Sequence, residues 1–125
     1  MLGSATLEKR RERLASICSA LPEATRVKWG ERHLVFRVRG KSFAYFWNSH
    51  HDDGIVALCC KVHAGDQELL VRDDPQQFYI PPYLGANGWI GYRLDRRSVD
   101  WDRVAELATI SYRLIAPKRL ALLVA

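Results

Sequence analysis

A β-strand is predicted by the stretch Gly88-Trp89-Ile90-Gly91-Tyr92-Arg93-Leu94, which is rich in aromatic and apolar residues and is bounded by a glycine. A polar turn over residues 95–99 follows this strand. The next segment carries apolar residues at helical spacing and is closed by Pro117. We therefore expect a strand, then a helix that contains Ser111-Tyr112-Arg113, then an apolar tail over residues 117–125.

The residues before this stretch predict a helix followed by an antiparallel meander. Helical spacing of apolar residues covers residues 6–21, and Pro22 closes the helix. Strands are predicted at residues 26–29, 33–39, 42–47 and 55–61, followed by a short helix at 63–71 and an extended connector at 76–86. The third strand is apolar on both faces, so we expect it to be central, with a helix on one face and a loop or a second subunit on the other.

Together these elements give the order α-β-β-β-β-α-β-α. This order predicts a two-layer α+β fold in which helices flank an antiparallel sheet of about five strands. The length of 125 residues suits one domain spanning residues 1–125. The first residues lead into charged ones, and no run of about eighteen apolar residues occurs, so we expect a cytoplasmic protein that does not span a membrane.

The residue types that could support catalysis or metal binding form no recognisable motif. Cys59 and Cys60 are adjacent on a strand and should point to opposite faces, so we expect buried thiols rather than disulfides, with Cys18 on the apolar side of the first helix. The run His50-His51-Asp52-Asp53 would need a further ligand, such as His33 or His63, to hold a metal ion. We predict no catalytic residues, no metal site and no cofactor.

The positive charge is concentrated in the first part of the chain. The net charge is +5, and residues 1–50 contain ten Lys and Arg against four Asp and Glu. If the first two strands are neighbours, one face of the sheet should carry a basic patch that attracts phosphates. The expected phosphate contacts are Arg26, Lys28, Arg37, Arg39 and Lys41.

A second group of interest surrounds the last strand. Tyr79, Tyr83, Trp89, Tyr92 and Arg93 could line a ligand groove in which rings stack on a flat molecule while the arginine pairs with an anionic group. The alternative is ordinary packing, with Trp89 in the core and the tyrosines closing a hydrophobic seam. Aromatic residues beside prolines favour this second interpretation.

The chain resembles the MmcQ/YjbR family of small bacterial proteins between about Arg11 and Ile115. The resemblance rests on Leu21-Pro22 before the first strand, on Val35-Phe36-Arg37-Val38-Arg39-Gly40-Lys41 with an aromatic strand after it, on the tyrosine-rich approach to Trp89, and on Ser111-Tyr112. It implies an antiparallel sheet flanked by helices, similar to type III secretion chaperones and described in this family as a double-wing DNA-binding fold. The apolar tail and Gly85-Ala86-Asn87-Gly88 depart from the common family pattern.

These observations lead to two hypotheses about function. The first is a non-enzymatic protein that binds DNA through its basic sheet face with little sequence specificity. The alternative is a chaperone-like protein-interaction domain that forms a homodimer through its apolar sheet face or its tail and has no nucleic-acid role.

Overall fold

The computed structural model describes residues 2–50 and 52–124. Their helices are α1 (Ser4–Ser19), α2 (Asp66–Asp73), α3 (Trp101–Ile115) and α4 (Lys118–Ala121), with a 3-10 turn at Leu84–Asn87. Their strands are β1 (Thr25–Trp29), β2 (His33–Val38), β3 (Lys41–Asn48), β4 (Val56–Lys61), β5 (Phe78–Tyr79) and β6 (Trp89–Arg93). The expected order is confirmed, with one extra strand and with the short helix α4 in the predicted tail.

The described strands form a single antiparallel sheet in the order β1-β2-β3-β4-β6-β5. The first four strands are a meander, and β6 then pairs with β4. The extra strand is β5, where Phe78 and Tyr79 in the connector pair with Tyr92 and Gly91 of β6. This pairing lies before the two prolines, at the edge of the sheet, where a short strand is tolerated.

Helices α1 and α3 pack on one face of this sheet and bury the main core. Helix α3 lies across β3 and β4, and the side chain of Asp100 caps its start by accepting a hydrogen bond from the Arg103 N–H at 3.2 Å. Strands β2 to β4, β6 and both helices contribute the core residues. None of the helices in the described part of the chain combines the length and the apolar character that a membrane crossing requires.

Ser111 and Tyr112, which carry part of the family resemblance, connect α3 to the sheet. The register between β2 and β3 shifts after Phe36, so that Phe43 and Ala44 both point into the main core. The buried Ser111 hydroxyl donates to the Phe43 carbonyl at 2.6 Å and accepts from the Lys61 N–H at 2.9 Å. The Tyr112 hydroxyl donates to the Pro22 carbonyl at 2.6 Å, and its ring packs edge-on against Phe43. These two residues therefore have a structural role in this fold.

Arg10 connects α1 to the turn between β6 and α3. Its guanidinium donates to the Leu94 carbonyl at 2.9 Å and to the Arg97 carbonyl at 3.1 Å, and also to the carbonyl of Arg96. This cation is consequently directed at backbone oxygens and does not contribute to a phosphate-binding surface.

The apolar tail is only partly covered. Leu120 on α4 reaches the main core and is 2% exposed, whereas Leu122 and Leu123 are 72% and 68% exposed. Leu114 on α3, near the tail, is also exposed. Exposed apolar surface in the tail is therefore found at Leu122 and Leu123, whereas Leu120 is already buried within the chain.

All three cysteines are buried free thiols, as expected. Cys60 lies in the main core with Cys18, and Cys59 lies on the opposite face of the sheet. Burial raises the pKa of Cys18 to about 12 and the pKa of Cys59 to about 12, and it also raises that of Cys60. The thiolate needed for nucleophilic chemistry is thus strongly disfavoured at all three positions.

Candidate nucleic-acid interface

The strand register determines which side chains share a face, because directly paired residues in an antiparallel sheet project to the same side. One row crosses all six described strands: it runs Val27, Val35, Tyr45, Cys59, Gly91, Tyr79. This row and its alternate neighbours face away from α1 and α3. We call this side the open sheet face; it comprises Thr25, Val27, Trp29, His33, Val35, Arg37, Tyr45, Trp47, Ala57, Cys59, Lys61, Tyr79, Trp89, Gly91 and Arg93.

The same register divides the predicted basic patch. Arg26 pairs with Phe36 and Lys28 pairs with Leu34, so both belong to rows that enter the helix-covered core. Arg37 pairs with Thr25 and projects from the open sheet face. The expectation that these cations share one face is therefore wrong. The register instead places the apolar residues of β1, Val27 and Trp29, on the same side as Arg37.

Two of the five predicted phosphate contacts are already paired with carboxylates. The Arg26 guanidinium donates to both carboxylate oxygens of Glu12 on α1, at 3.0 and 2.9 Å. Arg39 makes a similar two-point contact with Glu23. The hydrogen bonds from these arginines lower the pKa of Glu12 and the pKa of Glu23. Both ion pairs are exposed, and a phosphate would have to compete with a carboxylate at each arginine.

The other three predicted contacts, Lys28, Arg37 and Lys41, are exposed and have no carboxylate within ion-pair distance among residues 2–50 and 52–124. The Nε of Arg37 lies 3.4 Å from the Ser42 Oγ, a long hydrogen bond that leaves the rest of the guanidinium directed outward. Of these three residues, Arg37 is the one whose register places it on the open sheet face. It is therefore the best-placed anion contact of the predicted set.

A recess lies on the open sheet face beside Arg37. It has a volume of about 360 Å³ and is lined by Val27, Lys28, Trp29, Val35, Arg37 and Tyr45. The buried Val35 lies in its lining, and the rings of Trp29 and Tyr45 have their centroids 6.1 Å apart. Trp29 is 44% exposed, which is unusual for a tryptophan. We call this feature the aromatic recess; it is not among the sites predicted from the sequence.

A cluster of rings supports the Trp29 side of this recess. His50 lies against Trp29 with a centroid distance of 4.7 Å and stacks on Trp47 at 4.3 Å. His33 Nδ1 accepts a hydrogen bond from the Asn48 N–H at 3.1 Å, so neutral His33 carries its proton on Nε2, which lies 3.5 Å from His50 Nδ1. Burial, followed by the proximity of His50, lowers the pKa of His33. The imidazoles of His33 and His50 therefore act as packing partners for the tryptophans.

The same hydrogen bonds argue against a metal site at these histidines. A metal on His33 Nε2 would require the proton to move to Nδ1, where it would oppose the Asn48 N–H. Within the described ranges, which exclude His51, no group of three or more His, Cys, Asp or Glu side chains is arranged to hold a metal ion.

The ligand groove predicted around the last strand is not formed. Tyr92 pairs with Leu58 and Phe78 and lies in the main core, where its hydroxyl accepts from the Asp100 N–H at 3.1 Å. Trp89 is 7% exposed on the opposite side, and Tyr83 is 84% exposed. The alternative prediction, in which these aromatic residues have packing roles, is closer to the structure, although Trp89 and Tyr92 lie on opposite faces of the sheet.

Tyr79 and Arg93 each have a packing or pairing role on the open sheet face. Tyr79 packs over Gly91, with its hydroxyl 3.9 Å from the Cys59 Sγ. Arg93 donates to both oxygens of Asp95 at 2.9 and 3.0 Å. With Leu84 of the connector, Tyr79 packs on a small second cluster that includes Trp89 and covers this half of the open sheet face. Among residues 2–50 and 52–124, no comparable group covers the half formed by β1, β2 and the aromatic recess.

Comparison with known proteins agrees with this architecture. The family model described as YjbR matches residues 19–114. A crystal structure of a Deinococcus radiodurans protein with a DUF419 domain is similar, with a TM-score of 0.67 and 27% sequence identity over 84% of this chain and 77% of the other. Among proteins with curated descriptions, none is significantly similar to this chain. Because the family model covers well over half of the sequence, the chain belongs to the YjbR family.

Proposed function

We propose that this chain is a nucleic-acid-binding protein that contacts DNA through the uncovered half of its open sheet face. The supporting observation is the position of Arg37, an exposed cation without a carboxylate partner in the described residues, beside an uncovered aromatic surface. Lys28 borders the same recess, and Lys41 begins the neighbouring strand. Arg26 and Arg39 contribute less because Glu12 and Glu23 neutralise them.

The mechanism is attraction of phosphates with little reading of base edges. The net charge of +5 provides a long-range attraction between the chain and a polyanion, and Arg37 provides a cation on the open sheet face. Each phosphate contacted by a lysine or arginine releases counterions, so the affinity should fall steeply as salt is added. The contacts hold the backbone in place and carry no sequence information by themselves.

The charge reversal Arg37→Glu is expected to weaken binding of duplex and single-stranded DNA alike. It removes one phosphate contact, so the slope of log affinity against log salt should decrease in magnitude by about one. The measurement is fluorescence anisotropy of labelled oligonucleotides titrated at low and near-physiological salt.

The matched control is Lys9→Glu, which makes the same change in net charge at an exposed position on α1, on the other side of the sheet. A purely global charge effect would weaken binding equally in both variants, and that result would contradict a site at Arg37. The absence of binding by the native chain at low salt would reject the proposed function altogether.

A second candidate function, self-association through the tail, is favoured by the exposure of Leu122 and Leu123. If this surface is a homodimer interface, the native chain should have a dimer mass by light scattering, and the double change Leu122→Lys, Leu123→Lys should give a monomer. A native monomer at high micromolar concentration would reject this alternative. Neither leucine borders the aromatic recess, so this variant should bind DNA as the native chain does.

A further inference from the structure

We infer that the aromatic recess takes an unpaired base, so that the chain prefers single-stranded nucleic acid to a duplex. This inference rests on the proposed function and specifies its ligand. The recess offers the exposed ring of Trp29, the partly exposed ring of Tyr45 and an apolar surface at Val35, with Lys28 and Arg37 on its border. Rings that stack bases beside cations that hold phosphates are the usual elements of single-strand recognition.

The exposed rings of the recess favour a single strand, because the flat faces of the bases in a duplex are not free to pack against a protein ring. In a duplex the flat faces of the bases are stacked on one another, and only their edges and the phosphates face a protein. The aromatic recess could contact such a duplex through Arg37 but not through its rings. A single strand can turn a base out of its stack and place the ring against Trp29, which gives an additional contact for each base accommodated.

The charges on β1 also argue against a second copy of the chain as the occupant of this region. If β1 paired with itself across a two-fold axis at Val27, Arg26 of one copy would lie opposite Lys28 of the other, on the same face. Like charges directly opposite each other destabilise a strand pair, and lysine on an edge strand is a common means of preventing such pairing. Arg37 at the border of the recess has no carboxylate partner among the described residues and attracts a polyanion, so charge complementarity favours nucleic acid.

The recess should discriminate poorly among bases. Among its lining side chains, the polar groups on the open sheet face are the Arg37 guanidinium and the Tyr45 hydroxyl, while its stacking surfaces accept any flat ring. We therefore expect a sequence-tolerant preference for single strands, with modest differences that follow the stacking strength of each base.

The test compares Trp29→Leu with the native chain on three labelled probes: a single strand, its duplex, and the same strand with several central bases removed. Trp29 lies on an exposed edge strand, so the change should leave the fold intact, which circular dichroism and thermal unfolding can check. The matched control is Tyr83→Leu, which removes an aromatic ring that is 84% exposed and outside the recess.

We expect the native chain to bind the single strand more tightly than either the duplex or the base-depleted strand. Trp29→Leu should weaken single-strand binding by roughly tenfold or more and leave duplex binding almost unchanged, whereas Tyr83→Leu should change neither. Equal affinity for all three probes, or equal losses on strand and duplex in Trp29→Leu, would overturn the inference and leave the proposed function standing. No binding of any probe would overturn both.

Discussion

Replacing Ser111 with alanine is expected to lower the free energy of unfolding by roughly 2–5 kcal/mol, because two backbone groups lose their partner at once. The serine hydroxyl is the acceptor for the Lys61 N–H and the donor to the Phe43 carbonyl, at 2.9 and 2.6 Å. Ser111 itself is fully buried, so water cannot take its place without opening the contact between α3 and the sheet. Urea unfolding followed by circular dichroism would measure the change.

The control for Ser111 is Ser16→Ala on α1. Both changes replace a helical serine with the best helix former, and Ser16 is exposed. The control should therefore be neutral or slightly stabilising. A loss below about 0.5 kcal/mol in Ser111→Ala, relative to this control, would show that the two backbone groups do not depend on the hydroxyl.

Gly91→Ala is expected to destabilise the fold by about 1–3 kcal/mol through overpacking. An added Cβ at this position would lie 2.6 Å from the Cζ of Tyr79, which is closer than carbon atoms can approach. The ring would have to leave its place over the strand, and with it the contact between the Tyr79 hydroxyl and the Cys59 Sγ. Thermal or chemical unfolding would measure the cost.

A double-mutant cycle can assign this cost to the ring. In a Tyr79→Ala background the space above Gly91 is empty, so adding the methyl group there should be nearly neutral or stabilising, since alanine restricts the unfolded chain more than glycine does. The two changes should thus be strongly coupled. If Gly91→Ala costs the same with and without the ring, the strain arises elsewhere in the strand.

The element order could be predicted from the sequence because each segment carries its own local pattern. The helical spacing before Pro22 and in the segment that contains Ser111 predicts α1 and α3, and both are present. The two-residue strand β5 was not predicted, because Phe78 and Tyr79 carry too short a pattern beside two prolines. The structural role of Ser111 was also beyond the sequence, since its partners lie 50 and 68 residues away.

The candidate site could not be predicted correctly because it depends on which way the edge strand faces. Alternation suggests that Val27 and Trp29 point inward, as apolar residues on a half-buried strand usually do. Every residue of β1 is in fact exposed, and its charged residues are on the helix side, where Glu12 reaches Arg26. The register follows from the turn at residues 30–32, where Gly30 adopts a positive φ of 65°. The ion pair between Glu12 and Arg26, which are fourteen residues apart, also has no signature in the local sequence.

The three buried cysteines can report on local and global unfolding of the protein, because a reagent reaches each thiol only when the structure around it opens. A thiol-reactive dye in water meets no accessible sulfur while the sheet and helices are closed, because all three side chains are buried. Labelling of Cys60 requires exposure of the interior between helices and sheet, whereas labelling of Cys59 requires only that the rings on the opposite side part. The ratio of the two modification rates, read by mass spectrometry, would therefore distinguish a breathing motion of the surface rings from unfolding of the whole molecule.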